Sequence, residues 1–194
     1  MRTIGITGGV GSGKTEVLTF ITANYDARVI VADIAAKELE QPGQTCYREL
    51  VKALGKDILD ETGAIDAGAL SGLIFTDPEA LKQVNAIVHP AVKRYILEAL
   101  EEEQKKGTRY FVVEAALLIE EDYQDILDEM WYIYVSEPVR RKRLKESRGY
   151  SDQKIDGIMA AQMTDAEFRA ACDHVIENNG SIEEMQKQVA ELLG

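Results

Sequence analysis

A glycine-rich segment near the start of the chain limits the possible folds more than any other feature. Residues Gly8 to Thr15 read GGVGSGKT, which fits the pattern G-x-x-x-x-G-K-S/T. The segment follows a short apolar run, Thr3 to Thr7, and precedes apolar residues at helical spacing, namely Val17, Leu18 and Ile21. A phosphate-binding loop requires this order of buried strand, glycine-rich turn and helix. The sequence therefore predicts an α/β fold that opens with a nucleotide-binding loop.

The residue types of this loop suit the phosphate groups of a nucleotide. Glycines let the backbone curl until its N–H groups point at phosphate oxygens, and the N-terminus of the following helix adds a positive dipole. The Lys14 ammonium supplies a mobile cation, and the Thr15 hydroxyl is suited to bind Mg²⁺. The predicted nucleotide-binding residues of the loop are Gly9, Val10, Gly11, Ser12, Gly13, Lys14, Thr15 and Glu16, the last through its backbone N–H.

Three other interpretations fit the sequence less well. The dinucleotide-binding pattern G-x-G-x-x-G, started at Gly9 or Gly11, would need glycine at Lys14 or Glu16. The segment Asp60 to Gly63 matches the D-x-x-G pattern of GTPases, but no apolar run precedes it and no N-K-x-D occurs in the sequence. A simple turn with a solvated lysine would leave the density of glycines unexplained. We therefore expect nucleotide binding at the loop and an ordinary turn at Asp60 to Gly63.

Four later apolar runs, rich in β-branched and aromatic residues, predict further strands. They are Arg28 to Ala32, Tyr110 to Val113, Met130 to Val135 and His174 to Ile176. Strands that alternate with helices indicate a parallel sheet. The predicted fold is thus α/β, a three-layer P-loop core with a five-stranded parallel sheet. Its last helix is expected to begin with a capping box of Ser181 and Glu184.

The stretch between the second and third predicted strands is too long for a simple crossover. Residues 33–107 contain helical spacing in several places and no strand-like run of comparable strength. The clearest helix in this stretch is predicted to start after His89-Pro90 and to end at Gly107, since proline suits a first helical position and glycine the residue after the last. We therefore expect a helical insertion in the core.

Composition and charge exclude several classes of protein. Acidic residues number 34 against 22 Lys and Arg, and the net charge of −12 is a poor match for nucleic acid or anionic membranes. The longest apolar runs fall far short of the roughly 18 residues that span a bilayer. Two cysteines, Cys46 and Cys172, and two histidines, His89 and His174, are too scattered for a zinc site or a disulfide framework. Without an apolar signal segment, we expect a cytoplasmic protein.

Asp33 is one candidate for the chemistry at a phosphate acceptor. It follows the second predicted strand, and the carboxyl ends of strands face the ligand crevice in an open parallel sheet. A carboxylate there can take a proton from an attacking hydroxyl. The alternative is that Asp33 caps a helix that begins at Ile34. The spacing leaves both interpretations open.

A cluster of six cations is the second candidate. It comprises Arg140, Arg141, Lys142, Arg143, Lys145 and Arg148, on a predicted helix between Ser136 and Gly149. Helical spacing does not align these side chains, so we expect one or two to reach a ligand while the others remain in solvent. An arginine over a transferring phosphoryl group is the functional interpretation, because its planar donors suit that charge.

Taken together, these residues resemble the dephospho-CoA kinase family over nearly the whole chain. Members of that family use ATP to phosphorylate the ribose 3′-hydroxyl of dephospho-CoA. The matching segments, in chain order, are Thr7 to Thr15, Ala32-Asp33, His89-Pro90, Leu117 to Glu120, Arg140, Ala160-Ala161-Gln162 and Ile176 to Gly180. Only the first of these is specific by itself, so the order and spacing of the set carry the resemblance.

The resemblance implies roles for individual residues. Asp33 would be the catalytic base, with Lys14 and Arg140 as further catalytic residues. Arg140, Asn178 and Asn179 would also bind ATP, the two asparagines near adenine. The implied contacts to dephospho-CoA are Asp33, Lys37, His89 and Leu117. Glu114, at the end of the third strand, is a further candidate for holding a metal-bound water.

The resemblance also implies how the chain is divided. Residues 1–32, 108–138 and 168–194 would form the nucleotide-binding core, residues 33–107 a mainly helical CoA-binding domain, and residues 139–167 a helical lid over ATP. The implied cofactor is Mg²⁺ with ATP as co-substrate. The implied partners are ATP and dephospho-CoA, with no nucleic acid and no membrane, and the expected state is a monomer or a small homo-oligomer.

Four positions depart from the pattern expected of the family. Val31 stands where an acidic residue is common, and Lys37 where an arginine is usual. Ala116 replaces a common proline, and Glu16 replaces a frequent Ser or Thr. Lys37 keeps the charge of arginine but loses its bidentate geometry.

Two other functions share the loop and the basic helix: a kinase for nucleosides or nucleotides, and an ATP-operated switch that reports to a protein partner.

Overall fold

A computed structural model of the chain describes residues 1–116, 118, 119, 121 and 123–194. The predicted substrate residue Leu117 lies outside the described residues. The strands are β1 Arg2–Thr7, β2 Ala27–Val31, β3 Tyr110–Glu114, β4 Glu129–Tyr134 and β5 His174–Glu177. All five predicted strands are confirmed, and each predicted end differs from the observed end by at most a single residue.

The strands form one five-stranded sheet in the order β2-β3-β1-β4-β5. β1 pairs in parallel with β3 and with β4, and β4 pairs in parallel with β5. The predicted α/β fold with a parallel sheet is therefore confirmed. β3, rather than β2, lies beside β1, so the strand that ends next to the glycine-rich loop carries Glu114.

The described residues form nine α-helices around and between these strands. They are α1 Lys14–Asn24, α2 Ala32–Leu39, α3 Thr45–Leu54, α4 Ala67–Thr76, α5 Pro78–Lys106, α6 Glu137–Arg148, α7 Asp152–Ala160, α8 Asp165–Ala171 and α9 Ile182–Leu193. Within the described part of the chain, no helix is both long enough and apolar enough to cross a membrane.

The core lies on the central strands of the sheet. Ile4 and Ile6 of β1, and the β3 run Phe111 to Val113, are completely buried. A parallel sheet covered on both faces requires such continuous apolar strands, because neither face meets water. Burial of each such side chain contributes about 1.5–3 kcal/mol relative to leaving it exposed. These contacts fix the strand that leads into the loop.

The described residues divide into two compact units. The first unit comprises Met1–Val29 and Glu103–Gly194, and the second comprises Ile30–Glu102. The first unit contains the glycine-rich loop and α6 to α9, whereas the second contains α2, α3, α4 and most of α5. The nucleotide-side and acceptor-side candidates of the sequence therefore belong to different units.

The final helix is capped at its start by its own residues and is held at its end by side chains of β1 and β3. Ser181 and Glu184 form the predicted capping box at the start of α9. At its other end, the buried Tyr110 hydroxyl donates a hydrogen bond to the Leu193 carbonyl at 2.6 Å, and Arg2 Nη1 donates to the Leu192 carbonyl at 2.7 Å. These donors satisfy carbonyls that a helix end otherwise leaves unpaired.

The long helix of the second unit differs from the prediction. α5 runs through Pro90 rather than starting there, so the predicted start at His89-Pro90 is wrong. Proline removes one backbone hydrogen bond, but a continuous stripe of buried residues stabilises the helix on both sides of it. This stripe is Ala80, Val84, Val88, Val92 and Ile96. The predicted end is confirmed, because Gly107 follows Lys106 with a φ of 80°.

The segment that matches D-x-x-G is a turn, as predicted. Asp60 Oδ1 accepts hydrogen bonds from the Thr62 backbone N–H at 2.8 Å and from the Ala64 N–H at 3.1 Å. Gly63 has a φ of 82°, a conformation that favours glycine. The local hydrogen bonds account for the aspartate and the glycine without a nucleotide.

Candidate active site

The glycine-rich loop connects β1 to α1 and has the backbone expected of an anion-binding nest. Gly8, Gly11 and Gly13 have φ angles of 145°, 85° and 90°, which residues with a Cβ rarely adopt. Gly13 is the N-cap of α1, and no side chain caps that helix end. The N–H groups of the first turn of α1 are therefore not satisfied by a capping side chain, and they suit an anion.

Lys14 extends along the loop from the start of α1. Its ammonium group donates a hydrogen bond to the Gly8 carbonyl at 2.7 Å and lies 3.4 Å from the Glu114 carboxylate. Both side chains are mostly buried, with exposed fractions of 16% and 12%. Glu114 is the last residue of β3 and pairs with Ile6 of β1. A cation and an acid are thus positioned at the same edge of the sheet as the loop.

Arg140 of α6 lies against the outer side of the loop. Its Nε donates a hydrogen bond to the Val10 carbonyl at 2.7 Å. A Cβ added to Gly9 would lie 2.5 Å from the Cζ and both Nη atoms, so the guanidinium directly covers Gly9. Burial lowers the pKa of Arg140 from its usual value, while Tyr132 and Glu137 act in the opposite direction. The side chain is half-buried against the backbone that would surround a phosphate.

Gln162, in the turn after α7, joins Arg140 to the loop. Its Oε1 accepts a hydrogen bond from the Val10 backbone N–H at 3.3 Å and another from Arg140 Nη2. The backbone N–H and the backbone C=O of Val10 are therefore both engaged by side chains of residues 139–167. The sequence places Gln162 in a segment that matches the family and in the expected lid, but it does not indicate that this side chain contacts Val10 and Arg140.

Two other cations of α6, Arg141 and Lys145, are held by carboxylates of the same region. Arg141 pairs with Glu137 at 2.8 Å and also with Asp156, and Lys145 pairs with Asp152 at 2.7 Å. Arg140 thus differs from its neighbours by its direction toward the loop. Ser136 is the N-cap residue of α6, but its side chain makes no capping hydrogen bond, whereas Gly149 ends the helix in the left-handed region with a φ of 63°.

Asn178 and Asn179 follow β5 at the same edge of the sheet. The buried Asn178 amide donates a hydrogen bond to the Ser12 carbonyl at 2.8 Å, and its backbone N–H donates to the Tyr134 carbonyl at 2.8 Å. Asn179 Oδ1 accepts from the Ser136 N–H at 2.8 Å. Asn178 therefore holds the loop through the Ser12 carbonyl. The loop, Arg140 and both asparagines all belong to the first unit.

The acceptor-side candidates belong to the second unit. Asp33 is exposed in the first turn of α2, and the N-cap of α2 is Val31. The alternative in which Asp33 caps a helix beginning at Ile34 is therefore wrong, because the helix begins at Ala32. Lys37 lies one turn later on α2 and is exposed, and its charge opposes the burial that raises the pKa of Glu40. His89 is half-buried within α5.

The residues expected to bind Mg²⁺ offer oxygen atoms. Thr15 lies in the first turn of α1, directly after Lys14, and its side chain is exposed. The Glu114 carboxylate lies beside Lys14. Hydroxyl and carboxylate oxygens, with water and phosphate oxygens, are the ligands Mg²⁺ prefers. No group of three or more His, Cys, Asp or Glu residues suited to a metal occurs within the described ranges.

The fold and the site together define a class of protein. A parallel sheet whose first strand leads into a P-loop, with a lysine of the loop and an arginine placed on it, is typical of P-loop nucleotide-dependent kinases. Comparison with known proteins identifies the family. A sequence profile described as dephospho-CoA kinase matches residues 2–184. The chain belongs to the dephospho-CoA kinase family, and it is a kinase of coenzyme A biosynthesis.

Several named relatives support this assignment. The dephospho-CoA kinase of Geobacter sulfurreducens is 39% identical over 192 residues, which cover 99% of this chain and 97% of the relative. That of Geobacillus kaustophilus is 36% identical over 191 residues, covering 98% and 94%. The structure of TT1252 from Thermus thermophilus superposes with a TM-score of 0.83 at 29% identity, covering 99% of this chain and 96% of that one.

More distant structures share the fold. The dephospho-CoA kinase from Campylobacter jejuni superposes with a TM-score of 0.74 at 20% identity and covers 100% of this chain and 96% of its own. A shikimate kinase from Bacteroides thetaiotaomicron superposes with a TM-score of 0.55 at 16% identity, covering 99% and 98%. At these identities the likeness concerns the fold alone, which is that of P-loop kinases.

Proposed function

We propose that this chain carries out the reaction of its family with ATP on the Gly8–Thr15 loop and dephospho-CoA on the second unit. In that reaction the γ-phosphoryl group of ATP passes to the ribose 3′-hydroxyl of dephospho-CoA, which gives CoA and ADP. The observation that carries the proposal is the convergence of Lys14 and Arg140 on a loop with three glycines at positive φ. Two cations and an array of N–H groups suit a polyphosphate.

On this proposal, ATP lies along the loop with its phosphates on the N–H groups of residues 9–16. Lys14 exchanges its hydrogen bond to the Gly8 carbonyl for phosphate oxygens, and Asn178 and Asn179 lie on the adenine side. The Thr15 hydroxyl would hold Mg²⁺, and Glu114 would hold a water bound to it. When bound, the ion neutralises charge on the phosphate oxygens. The metal assignment rests on the Glu114 carboxylate, which lies at the same edge of the sheet as the glycine-rich loop.

Asp33 is proposed as the base. It lies in the first turn of α2, two residues after the carboxyl end of β2, where open α/β sheets bind ligands, and its side chain is exposed. Its carboxylate accepts the proton of the 3′-hydroxyl as that oxygen forms a bond to the γ-phosphorus. The bond from the γ-phosphorus to the β–γ bridging oxygen breaks, and its electron pair leaves with ADP. Lys14 and Arg140 offset the negative charge that develops on the transferred group.

The second unit is proposed as the acceptor-binding part. Residues 33–107 carry Lys37 and His89, which suit an anionic substrate as a cation and a polar contact. Lys37 extends from the same helix as Asp33 and one turn beyond it. Residues 139–167 are proposed as a lid whose closure excludes water from the reacting phosphate, while residues 1–32, 108–138 and 168–194 form the nucleotide-binding core.

The test is an assay of ADP formation from ATP and Mg²⁺ with identification of the product by mass. Parallel reactions contain dephospho-CoA, a panel of nucleosides and nucleoside monophosphates, or no acceptor. The proposal expects ADP only with dephospho-CoA, together with a product of the mass of CoA. Stimulation by a nucleotide instead would assign a nucleotide kinase, and ATP binding without acceptor-dependent turnover would assign a switch. Omission of Mg²⁺ should abolish turnover.

A further inference from the structure

The backbone N–H and C=O groups of Val10 are both held by the segment that follows β4. Arg140 Nε donates to its carbonyl at 2.7 Å, and Gln162 Oε1 accepts from its N–H at 3.3 Å. Arg140 Nη2 donates to that same Gln162 oxygen. The three groups form a closed ring of hydrogen bonds. Because a guanidinium fork fixed at two points has little freedom to rotate, this ring determines the direction in which Arg140 points.

The acceptor that completes the ring is neutral. Among the residues that the structure describes, no carboxylate forms an ion pair with Arg140. The next residue, Arg141, shows the contrast, since it pairs with Glu137 and with Asp156. A glutamine at position 162 thus holds the arginine without cancelling its charge. Carbonyl oxygens orient a cation while leaving its net charge available to an anion.

The loop makes room for the guanidinium at one glycine. Gly9 is not among the glycines at positive φ, so its backbone conformation does not require glycine. A Cβ at this position, however, would lie 2.5 Å from three atoms of the guanidinium. The atoms it would meet belong to the end of a flexible side chain, which can move away. Glycine at position 9 is therefore explained by the place of Arg140 rather than by the path of the loop.

We propose that Gln162 is a positioning residue that fixes Arg140 on the Val10 backbone beside Gly9 and keeps its positive charge available for the transferring phosphoryl group. The proposal rests on the proposed function, and it adds a residue and a reason for its chemical type. Its specific content is that position 162 needs an oxygen acceptor without charge. A purely structural glutamine would need only the acceptor.

Three substitutions separate position from charge. Gln162→Ala removes the acceptor and should release Arg140. Gln162→Glu keeps an acceptor for both donors but forms an ion pair with Arg140 and adds negative charge beside the nucleotide. Gly9→Ala displaces the Arg140 guanidinium, although neither Arg140 nor Gln162 is itself substituted. Gln153→Ala, an exposed glutamine on α7, is the matched control.

The first measurement follows the position of Arg140 without reference to activity. In ¹H–¹⁵N spectra of the intact protein, the Arg140 Nε–H signal should exchange slowly with water in the wild type, in Gln162→Glu and in Gln153→Ala. It should exchange rapidly in Gln162→Ala and in Gly9→Ala. Unchanged exchange in both of the latter variants would overturn the positioning role. This result is independent of which acceptor the enzyme uses, so it distinguishes failure of this inference from failure of the proposed function.

The second measurement compares turnover with ATP affinity. Because displacement of a reacting group by about 1 Å can cost a hundredfold in rate, kcat should fall about ten- to a hundredfold in Gln162→Ala and in Gly9→Ala. Gln162→Glu should lose at least as much, although Arg140 stays in place. The ATP dissociation constant, measured by calorimetry without acceptor, should rise more in Gln162→Glu than in Gln162→Ala. Wild-type kcat in Gln162→Glu would overturn the requirement for a neutral acceptor.

A double-substitution cycle completes the test. If Gln162 acts through Arg140, then Gln162→Ala should cause no further loss of kcat in an Arg140→Ala background. Additive losses would show that Gln162 acts independently of Arg140 and would overturn the proposal. Urea unfolding of each variant provides the control for folding, and the Gly9→Ala variant should unfold close to the wild-type midpoint because only a side-chain end must move.

Discussion

The Lys14 ammonium group lies 3.4 Å from the Glu114 carboxylate, where β3 ends beside the strand that leads into the loop. The same ammonium group donates to the Gly8 carbonyl, so the loop lysine is held within the loop by one charged and one neutral oxygen. On the proposed function, nucleotide phosphates compete for this cation with the Gly8 carbonyl. The geometry thus links the loop, the third strand and the proposed site of phosphoryl transfer.

Replacement of Lys14 by alanine tests the role of this cation. Loss of one charged donor to a developing oxyanion costs about a hundredfold or more, so Lys14→Ala should reduce kcat by at least that factor and should also weaken ATP binding. Steady-state kinetics and calorimetry measure the two effects. Lys142→Ala is the control, because Lys142 is exposed and its ion pair with Glu146 is long, at 4.0 Å. An unchanged rate in Lys14→Ala would contradict the assignment of the phosphate loop.

Replacement of Asp33 by asparagine tests the proposed base. Asparagine keeps the size of the side chain but cannot accept the hydroxyl proton, so Asp33→Asn should reduce kcat by about 10²–10⁴-fold. The ATP dissociation constant should remain close to the wild-type value, since Asp33 is proposed to act on the acceptor. Glu38→Gln, an exposed acid on the same helix, provides the control. Full turnover in Asp33→Asn would remove Asp33 from the mechanism.

The buried Asn178 amide is expected to stabilise the loop. Its hydrogen bond to the Ser12 carbonyl is buried, and removal of one partner leaves that carbonyl unsatisfied. Asn178→Ala should therefore lower the free energy of unfolding by about 1–3 kcal/mol. Urea titration measures this change. Asn24→Ala removes an exposed local hydrogen bond to Phe20 and should have a smaller effect; equal effects of the two variants would contradict a special role for Asn178.

Asp128 gives a pH dependence whose sign follows from its contacts. The Thr3 N–H and hydroxyl both donate to its carboxylate, and these hydrogen bonds lower the pKa of Asp128 in the folded state. A lowered folded-state pKa stabilises the fold above the unfolded value, about 3.9, and this stabilisation is lost as the pH falls through the folded value. Acid unfolding of Asp128→Asn should show a shallower decline over that range than the wild type.

A control variant isolates this effect. Asp57→Asn changes an exposed carboxylate of the second unit, and its stability should follow the wild-type decline between pH 5 and pH 2, the range about the unfolded pKa. If Asp128→Asn and Asp57→Asn decline in parallel with the wild type, the hydrogen bonds from Thr3 do not contribute to the pH dependence.

Much of the fold follows from the sequence because its central strands contain continuous apolar runs. The central strands are buried on both faces, so a run such as Phe111 to Val113 is apolar at every position. Such a run predicts a strand without knowledge of the strands that pair with it. The loop, likewise, is determined by local backbone requirements at Gly8, Gly11 and Gly13. Local signals of this kind can be read from neighbouring residues alone.

Features that depend on distant packing could not be predicted. Pro90 indicates a helix start locally, but the buried stripe on either side of it stabilises a continuous α5. Asp33 is a residue type that often caps helices, but α2 begins at Ala32, which precedes Asp33, so the N-cap is Val31. The contact between Arg140 and Gln162 joins residues from either side of α7, and neither residue indicates the other in the sequence.

The strand order has a consequence for how the chain acquires its shape during synthesis. β1 precedes β3 and β4 in the chain, yet it occupies the middle of the sheet, and its partners Tyr110 and Glu129 emerge from the ribosome much later. Pairing of distant segments is slow, and until it occurs Ile4 and Ile6 have no sheet to cover them. A nascent chain that ends before β3 therefore has β1 without either of its sheet neighbours, and the Glu114 carboxylate comes to lie beside Lys14 only after β3 has been made.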